Sequence, residues 1–229
     1  MPKLYSAYQL NKRSHRVALI KQIICDLPKL NPVWHPIGFI LIKLEESSEC
    51  VIRLHIWPAI LKNPQSTNNP IHDHVYEIES TIMCGKIGCT NYQIEHDSDD
   101  KSNLKLSTVT YTEDGSTLHQ TDEHVLISKT NIRWYKEGET YHIERGKFHE
   151  SIISENELTC TLVKNRNFDE TKKPRVIYNS SSTNQKTNIR EKVDPNIVLS
   201  ELLRVKENIL QITIDKTAYP PTSDTAAYH

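Results

Sequence analysis

Two periods of apolar and polar residues divide the chain. Residues 15–27 (HRVALIKQIICDL) place Val17, Ala18, Ile20, Ile23, Ile24 and Leu27 at helical spacing and stop at Pro28, which predicts an amphipathic helix. From residue 37 onward the pattern changes to short β segments. Residues 37–44 (IGFILIKL) and 51–57 (VIRLHIW) predict two strands joined by the polar turn EESSE, with Arg53, His55 and Trp57 on one face of the second. Residues 80–87 and 89–94 predict two more, separated at Gly85 and Gly88. Residues 104–111 (LKLSTVTY) alternate cleanly, as a strand with one wet face does, and Asp114-Gly115 marks a hairpin turn. Runs at 125–128, 132–135, 151–154 and 158–163 continue the series, with turns at 136–138 and 155–157. About ten short strands with turn chemistry between them predict an all-β sandwich or small barrel.

The pattern breaks after Lys164. Residues 58–70 and 179–187 (NSSSTNQKT) read as loops, and 217–229 as a loose tail. Residues 195–210 (PNIVLSELLRVKENIL) return to helical spacing, with Asp194 as N-cap and Pro195 at the first helical position. The predicted organisation is therefore an N-terminal helical segment over 1–36, a β-barrel over 37–165, and a C-terminal extension over 166–229 with one amphipathic helix. There is no internal repeat.

Composition narrows the function classes. The chain has 229 residues, 37% hydrophobic and 25% charged, so a packed core is expected and global disorder is not. Its formal net charge is −1, so there is no basic excess to neutralise phosphates and nucleic acid is an unfavoured partner. The opening MPKLYSAYQLNKRSHR has no apolar run of signal-peptide type, and the longest apolar run is too short to span a bilayer. Five cysteines occur without a C-x-x-C spacing, which reads as reduced thiols in a cytoplasmic protein.

The chemistry concentrates in NPIHDHVYEIESTIMCGKIG. His72 and His74 sit two residues apart in a strand-like run, so both imidazoles leave one face together, as half of a metal site. The best third ligand is His149, at the end of GETYHIERGKFHES. Three nitrogens with an additional carboxylate, or without one, and open positions suit Fe(II), with Mn, Ni, Cu or Zn as alternatives. Arg53 has two readings. Either its face looks inward, where it and His55 can meet a substrate, or Ile52, Leu54 and Ile56 point inward and Arg53 is solvated. Tyr76, Tyr92 and Tyr141 are candidate proton donors or ordinary core and rim residues. Asp73 faces away from the histidines. Cys84 and Cys89 read as small packing residues rather than ligands.

The two histidine stretches resemble the paired motifs of the cupin superfamily. In the second motif Gly138, Gly146 and His149 fall in register, while Glu144 and Ile153 replace the usual Pro and Asn. In the first, His72, His74 and Gly85 fit, and Ser66 stands in place of a Gly. The carboxylate slot falls on Glu79 counting forward from His74 and on Ile78, with Glu77 and Glu79 on either side, counting back from Gly85, a difference that a one-residue bulge would reconcile. His72-Asp73-His74 also resembles the thiol dioxygenase branch, which uses three histidines and no carboxylate. That branch's downstream Ser-His pairing with a catalytic Tyr is not seen. The resemblance covers about residues 38–163. It implies a single cupin-type β-barrel (double-stranded β-helix, or jelly roll) with flanking helices. The metal would be held by His72, His74, His149 and Glu79, with Arg53, His55 and Tyr92 as candidate catalytic groups. The implied activity is that of a non-haem iron oxygenase or dioxygenase on a small molecule. A redox-neutral isomerase or lyase and a non-catalytic ligand-binding barrel are the alternatives. The family also implies a homodimer.

Overall fold

The computed structural model describes Tyr5 and residues 8–61, 70–112, 115–179 and 187–211. Most of the 58–70 and 179–187 loops, Asp114 of the hairpin turn, Ser66 and the 217–229 tail lie outside the described residues. In chain order the elements are α1 (Arg13–Asp26), β1 (Val33–Trp34), β2 (Ile40–Glu46), β3 (Cys50–Trp57), β4 (Glu77–Cys84), β5 (Lys86–His96), β6 (Leu104–Thr112), β7 (Gly115–Lys129), β8 (Arg133–Lys136), β9 (Thr140–Ile143), β10 (Phe148–Ile153), β11 (Thr159–Arg166), β12 (Arg175–Asn179), β13 (Thr187–Ile189) and α2 (Pro195–Gln211).

The strands form two antiparallel sheets. The first runs β1-β2-β3-β11-β4-β9. The second runs β10-β5-β7-β6-β12, with β8 added beside β5 and β13 beside β7. Neighbours that are distant in sequence, such as β3 with β11, are the mark of a jelly roll, and this is the architecture the cupin resemblance implied. β6 and β7 form the expected hairpin, paired from Thr112 opposite Gly115 back to Lys105 opposite His124.

At β3 the first sheet is covered on both sides. Outside it lie the two helices, whose Leu19, Ile20, Ile23, Leu202 and Val205 pack on Ile40, Ile42, Ile52, Leu54 and Ile56. Asp194 caps α2, accepting a hydrogen bond from the Asn196 amide at 2.8 Å. Arg16 of α1 is buried and ion-paired to Glu137 in the β8–β9 turn, which ties the helix to the sheet assembly. The inner face meets the second sheet across Tyr76, Ile78, Ile82, Ile87, Tyr141, Ile143 and Val163.

Four strands lie outside the runs legible in the sequence: β1, β9, β12 and β13. Each has five residues or fewer, too short for an alternation to stand out, and their pairing comes from neighbours that are far off in sequence. β12 and β13 add to the second sheet from residues after 166. Among the described residues no helix is long and apolar enough to cross a membrane.

Candidate metal centre

The segment 71–73 lies between the two edge strands of the second sheet. On one side the His72 amide donates to the His149 carbonyl at 3.1 Å, and the His149 amide donates back at 2.9 Å. On the other side the Asp73 amide donates to the Arg175 carbonyl at 2.9 Å, and the Ile177 amide to the Ile71 carbonyl at 3.0 Å. The alternation of an extended strand then sends His72 one way and Ile71 and Asp73 the other. Asp73 is only 4% exposed. Its carboxylate accepts hydrogen bonds from the Arg175 amide at 2.6 Å and from Nε at 2.8 Å, with Nη2 at 2.7 Å. This charge-assisted clamp fixes the backbone between the two histidines from behind.

The second motif is bonded directly to the first. The Gly146 amide donates to the His74 carbonyl at 2.9 Å. Gly146 sits at φ +75°, a left-handed conformation that costs a side-chain-bearing residue energy. Gly85, at φ +75°, closes the other end of β4, and a Cβ there would lie 2.3 Å from the Leu158 carbonyl oxygen. The motif glycines are thus turn residues that deliver the histidines.

His72, His74 and His149 come together. One ligand nitrogen from each lies within 4.8 Å of the others, and the ring centroids are 4.5 to 5.1 Å apart. Two of the rings have assigned tautomers. Nδ1 of His72 is 2.8 Å from the Pro70 carbonyl, and Nδ1 of His149 is 3.0 Å from the Lys147 carbonyl. A carbonyl accepts only, so each Nδ1 carries the proton and each Nε2 keeps a free lone pair. Second-side hydrogen bonds of this kind orient metal-bound histidines. His74 stacks on Tyr76 at 4.8 Å, and its Nδ1 is buried without a hydrogen-bond partner among the described residues. Burial lowers the pKa of all three, His149 to about 3. Neutral imidazoles with free lone pairs are the form that binds a divalent cation, so the residues fit one.

Glu79 is not at this centre. Its carboxylate is 3.1 Å from Lys164 Nζ, on the opposite face of β4 from Ile78, Ser80 and Ile82. A bulge does exist in β4, but at Met83, where the pairing of Cys160 with Cys84 steps to Thr161 with Ile82. It lies beyond Glu79 and does not turn that side chain inward. The inward slot is taken by Ile78, which lines the hollow beside the histidines. Glu77 is exposed, and accepts a hydrogen bond from Asn167. Among the described residues the cluster consists of the three histidines alone.

Arg53 and His55 face the hollow between the sheets, while Ile52, Leu54 and Ile56 face the helices. His55 stacks on Phe39 at 4.3 Å, with Trp57 edge-on at 5.8 Å. Burial pushes its pKa down to about 3. Tyr76 and Tyr141 also line the hollow, and burial raises Tyr141 to about 12. Tyr92 does not line it. Its hydroxyl donates to Glu150 at 2.7 Å, and its ring packs with Phe148, on the far side of β10 from His149. Cys84 and Cys89 pack among apolar residues, and burial raises both thiols, to about 12 and 11, so neither is a ready thiolate.

The sequence reading did not single out His35, Tyr111 or Arg190, which line the same hollow. His35 stacks on Phe39 at 4.3 Å and opens the HPIG turn before β2, a lone histidine with no spacing partner. Arg190 follows β13, in a stretch without periodicity.

No family model matches the chain, and no curated protein matches it by sequence. Among solved structures it is similar to the DMSP lyase DddQ from Ruegeria pomeroyi DSS-3, at 15% identity and a TM-score of 0.41 over 73% of this chain and 67% of that one. The cupin domain of Cnp3 from Schizosaccharomyces pombe is 12% identical, with a TM-score of 0.35 over 63% and 73% of the two chains. An oxalate decarboxylase from Lactobacillus farciminis is 10% identical, with a TM-score of 0.34 over 62% and 33%.

Proposed function

We propose that this chain is a metal-dependent enzyme of the cupin type, a non-haem iron oxygenase acting on a small molecule. The observation that carries this reading is the three-histidine cluster, with two Nδ1 atoms committed to backbone carbonyls and the matching Nε2 lone pairs free. A set of three neutral nitrogens, with an apolar Ile78 in the inward carboxylate slot, is also what the resemblance to the thiol dioxygenase branch implies. When bound, an iron ion supplies a redox centre with open positions for dioxygen and for a substrate heteroatom.

The remaining work falls to the chain. Asp73 and Arg175 hold the two histidines at a fixed separation. The ring stack of His35, Phe39, His55 and Trp57 walls the hollow on the first sheet. Arg53 and His55 are placed to contact a substrate. Tyr141, raised by burial to about 12, keeps its proton at neutral pH and offers a hydrogen-bond donor there.

A redox-neutral isomerase or lyase is the second reading. The tyrosine hydroxyls around the histidines favour it, since they offer the proton transfers that such chemistry needs.

Metal content tests the proposal. Protein purified without oxygen is expected to hold about one iron per chain, and His72→Ala and His149→Ala are expected to lose it. Oxygen uptake with small thiols, amino acids and keto acids then separates the two enzyme readings. A wild-type protein that binds no divalent ion on reconstitution would leave only the ligand-binding barrel.

A further inference from the structure

The hollow beside the histidines is about 90 Å³ in one lobe and about 60 Å³ in the other, and the lobes share His35, Arg53, His72, His74 and Tyr76. The larger lobe has room for a small molecule. Its charges are unbalanced. Arg53 reaches it from β3, and Arg190 reaches it from the segment after β13. The one carboxylate among the described lining residues, Asp73, is already committed to Arg175.

Each of these arginines keeps a buried Nε without a hydrogen-bond partner among the described residues. Arg53 lies over the Tyr76 ring at 5.9 Å, and Arg190 over the Tyr111 ring at 5.9 Å. The ring faces hold the guanidinium planes without taking up their in-plane donors. Burial, and also the positive charge of Arg53, lower the pKa of Arg190, so the two cations face the same space. Other polar atoms of the same interior are also unpartnered: His55 Nε2 and Asn165 Oδ1. Two half-buried cations with buried, unused Nε donors and no counter-charge among the described lining residues are costly unless an anion completes them.

We propose that Arg53 and Arg190 form an anion clamp, and that the substrate carries a carboxylate held there, in the lobe that His72 and His74 also line. The bidentate match between guanidinium and carboxylate suits a planar carboxylate in so narrow a lobe. The role of the histidines as the neighbouring reactive centre rests on the metal reading above, whereas the clamp itself does not.

Malonate, with seven heavy atoms, is the probe, and inorganic phosphate is its competitor. Both are titrated calorimetrically into metal-free protein, so the result stands whether or not the histidines bind iron. Saturable malonate binding at millimolar or tighter affinity is expected, stronger than that of phosphate. Arg53→Gln and Arg190→Gln are each expected to weaken it at least tenfold, and Arg53→Lys and Arg190→Lys less. Thermal unfolding of the same variants near the wild-type midpoint shows that they are folded. If a Gln variant unfolds early, its Lys partner carries the test. No saturable binding, an affinity unchanged in either Gln variant, or a preference for phosphate overturns the proposal.

Discussion

The two faces of β3 do opposite things. Ile52, Leu54 and Ile56 look outward to the helices and form continuous apolar packing. Arg53, His55 and Trp57, one residue along in each case, look inward to a hollow lined by rings, a guanidinium and unpartnered polar atoms. Two things distinguish core from site here: the outer side chains are fully buried and the inner ones half-buried, and the buried polar atoms differ in whether they are satisfied. The outer face has few to satisfy, whereas on the inner face Arg53 Nε and His55 Nε2 are left over.

The sharpest way to break this comparison is to remove a ligand from the inner side. His149→Ala is expected to abolish stoichiometric metal binding, read by elemental analysis after reconstitution, while the protein stays folded by circular dichroism. On the outer side the reverse is expected. Leu54→Ala leaves a cavity against the helices and costs about 2–5 kcal/mol in denaturant unfolding. It leaves the metal content of the folded fraction unchanged. Should Leu54→Ala lose metal as readily as His149→Ala, the two faces are not separate.

Asp73→Asn probes the link between them. The residue touches neither imidazole, but its clamp on Arg175 fixes the backbone that carries both. A roughly tenfold weaker metal affinity is expected, at the low end for residues that orient ligands. An unchanged affinity would mean that the backbone bonds to β10 and β12 suffice.

A smaller effect should appear with pH. His55 has its pKa lowered from 6.5 to about 3 by burial, so in this range the unfolded chain binds the proton and the folded chain does not. Its contribution is intact above pH 6.5 and is lost as pH falls toward 3, by up to about 1.4 kcal/mol per unit. His55→Phe, which keeps a ring on Phe39, should flatten the acid limb of stability against pH in metal-free protein. Equal slopes in the two proteins would show that His55 is not held neutral. The smallest effect is expected at Glu79. Glu79→Gln removes only a partly exposed pair with Lys164, worth under about 1 kcal/mol, and should leave metal content unchanged. Loss of metal in that variant would restore the carboxylate to the site.

The sequence was legible where the spacing itself does the work. His72 and His74 point together because alternate strand residues do, and His149 arrives with Gly138 and Gly146 in their expected places. The fourth position was not legible. Glu79 and Ile78 lie on opposite sides of a pleat, and the position of the bulge, at Met83, depends on how β11 pairs with β4. Tyr92 was misplaced for a related reason: it pairs with Phe148, the neighbour of His149, so it belongs to the other face of the sheet. Arg53 stayed undecided because the alternation in β3 tells two faces apart without saying which one meets helices. Arg175 and Arg190 could not be found at all, since β12, and β13 just before Arg190, are too short to carry a pattern.

The strand β12 has a consequence for any attempt to trim the protein. A chain cut after β11 would keep all three histidines and the three motif glycines, Gly85, Gly138 and Gly146, and would still pass every pattern match. It would lack Arg175, whose backbone and side chain brace Asp73, and Arg190, which supplies the hollow with its second cation. Such a fragment would separate possession of the ligands from the stiffness that holds them at working distance.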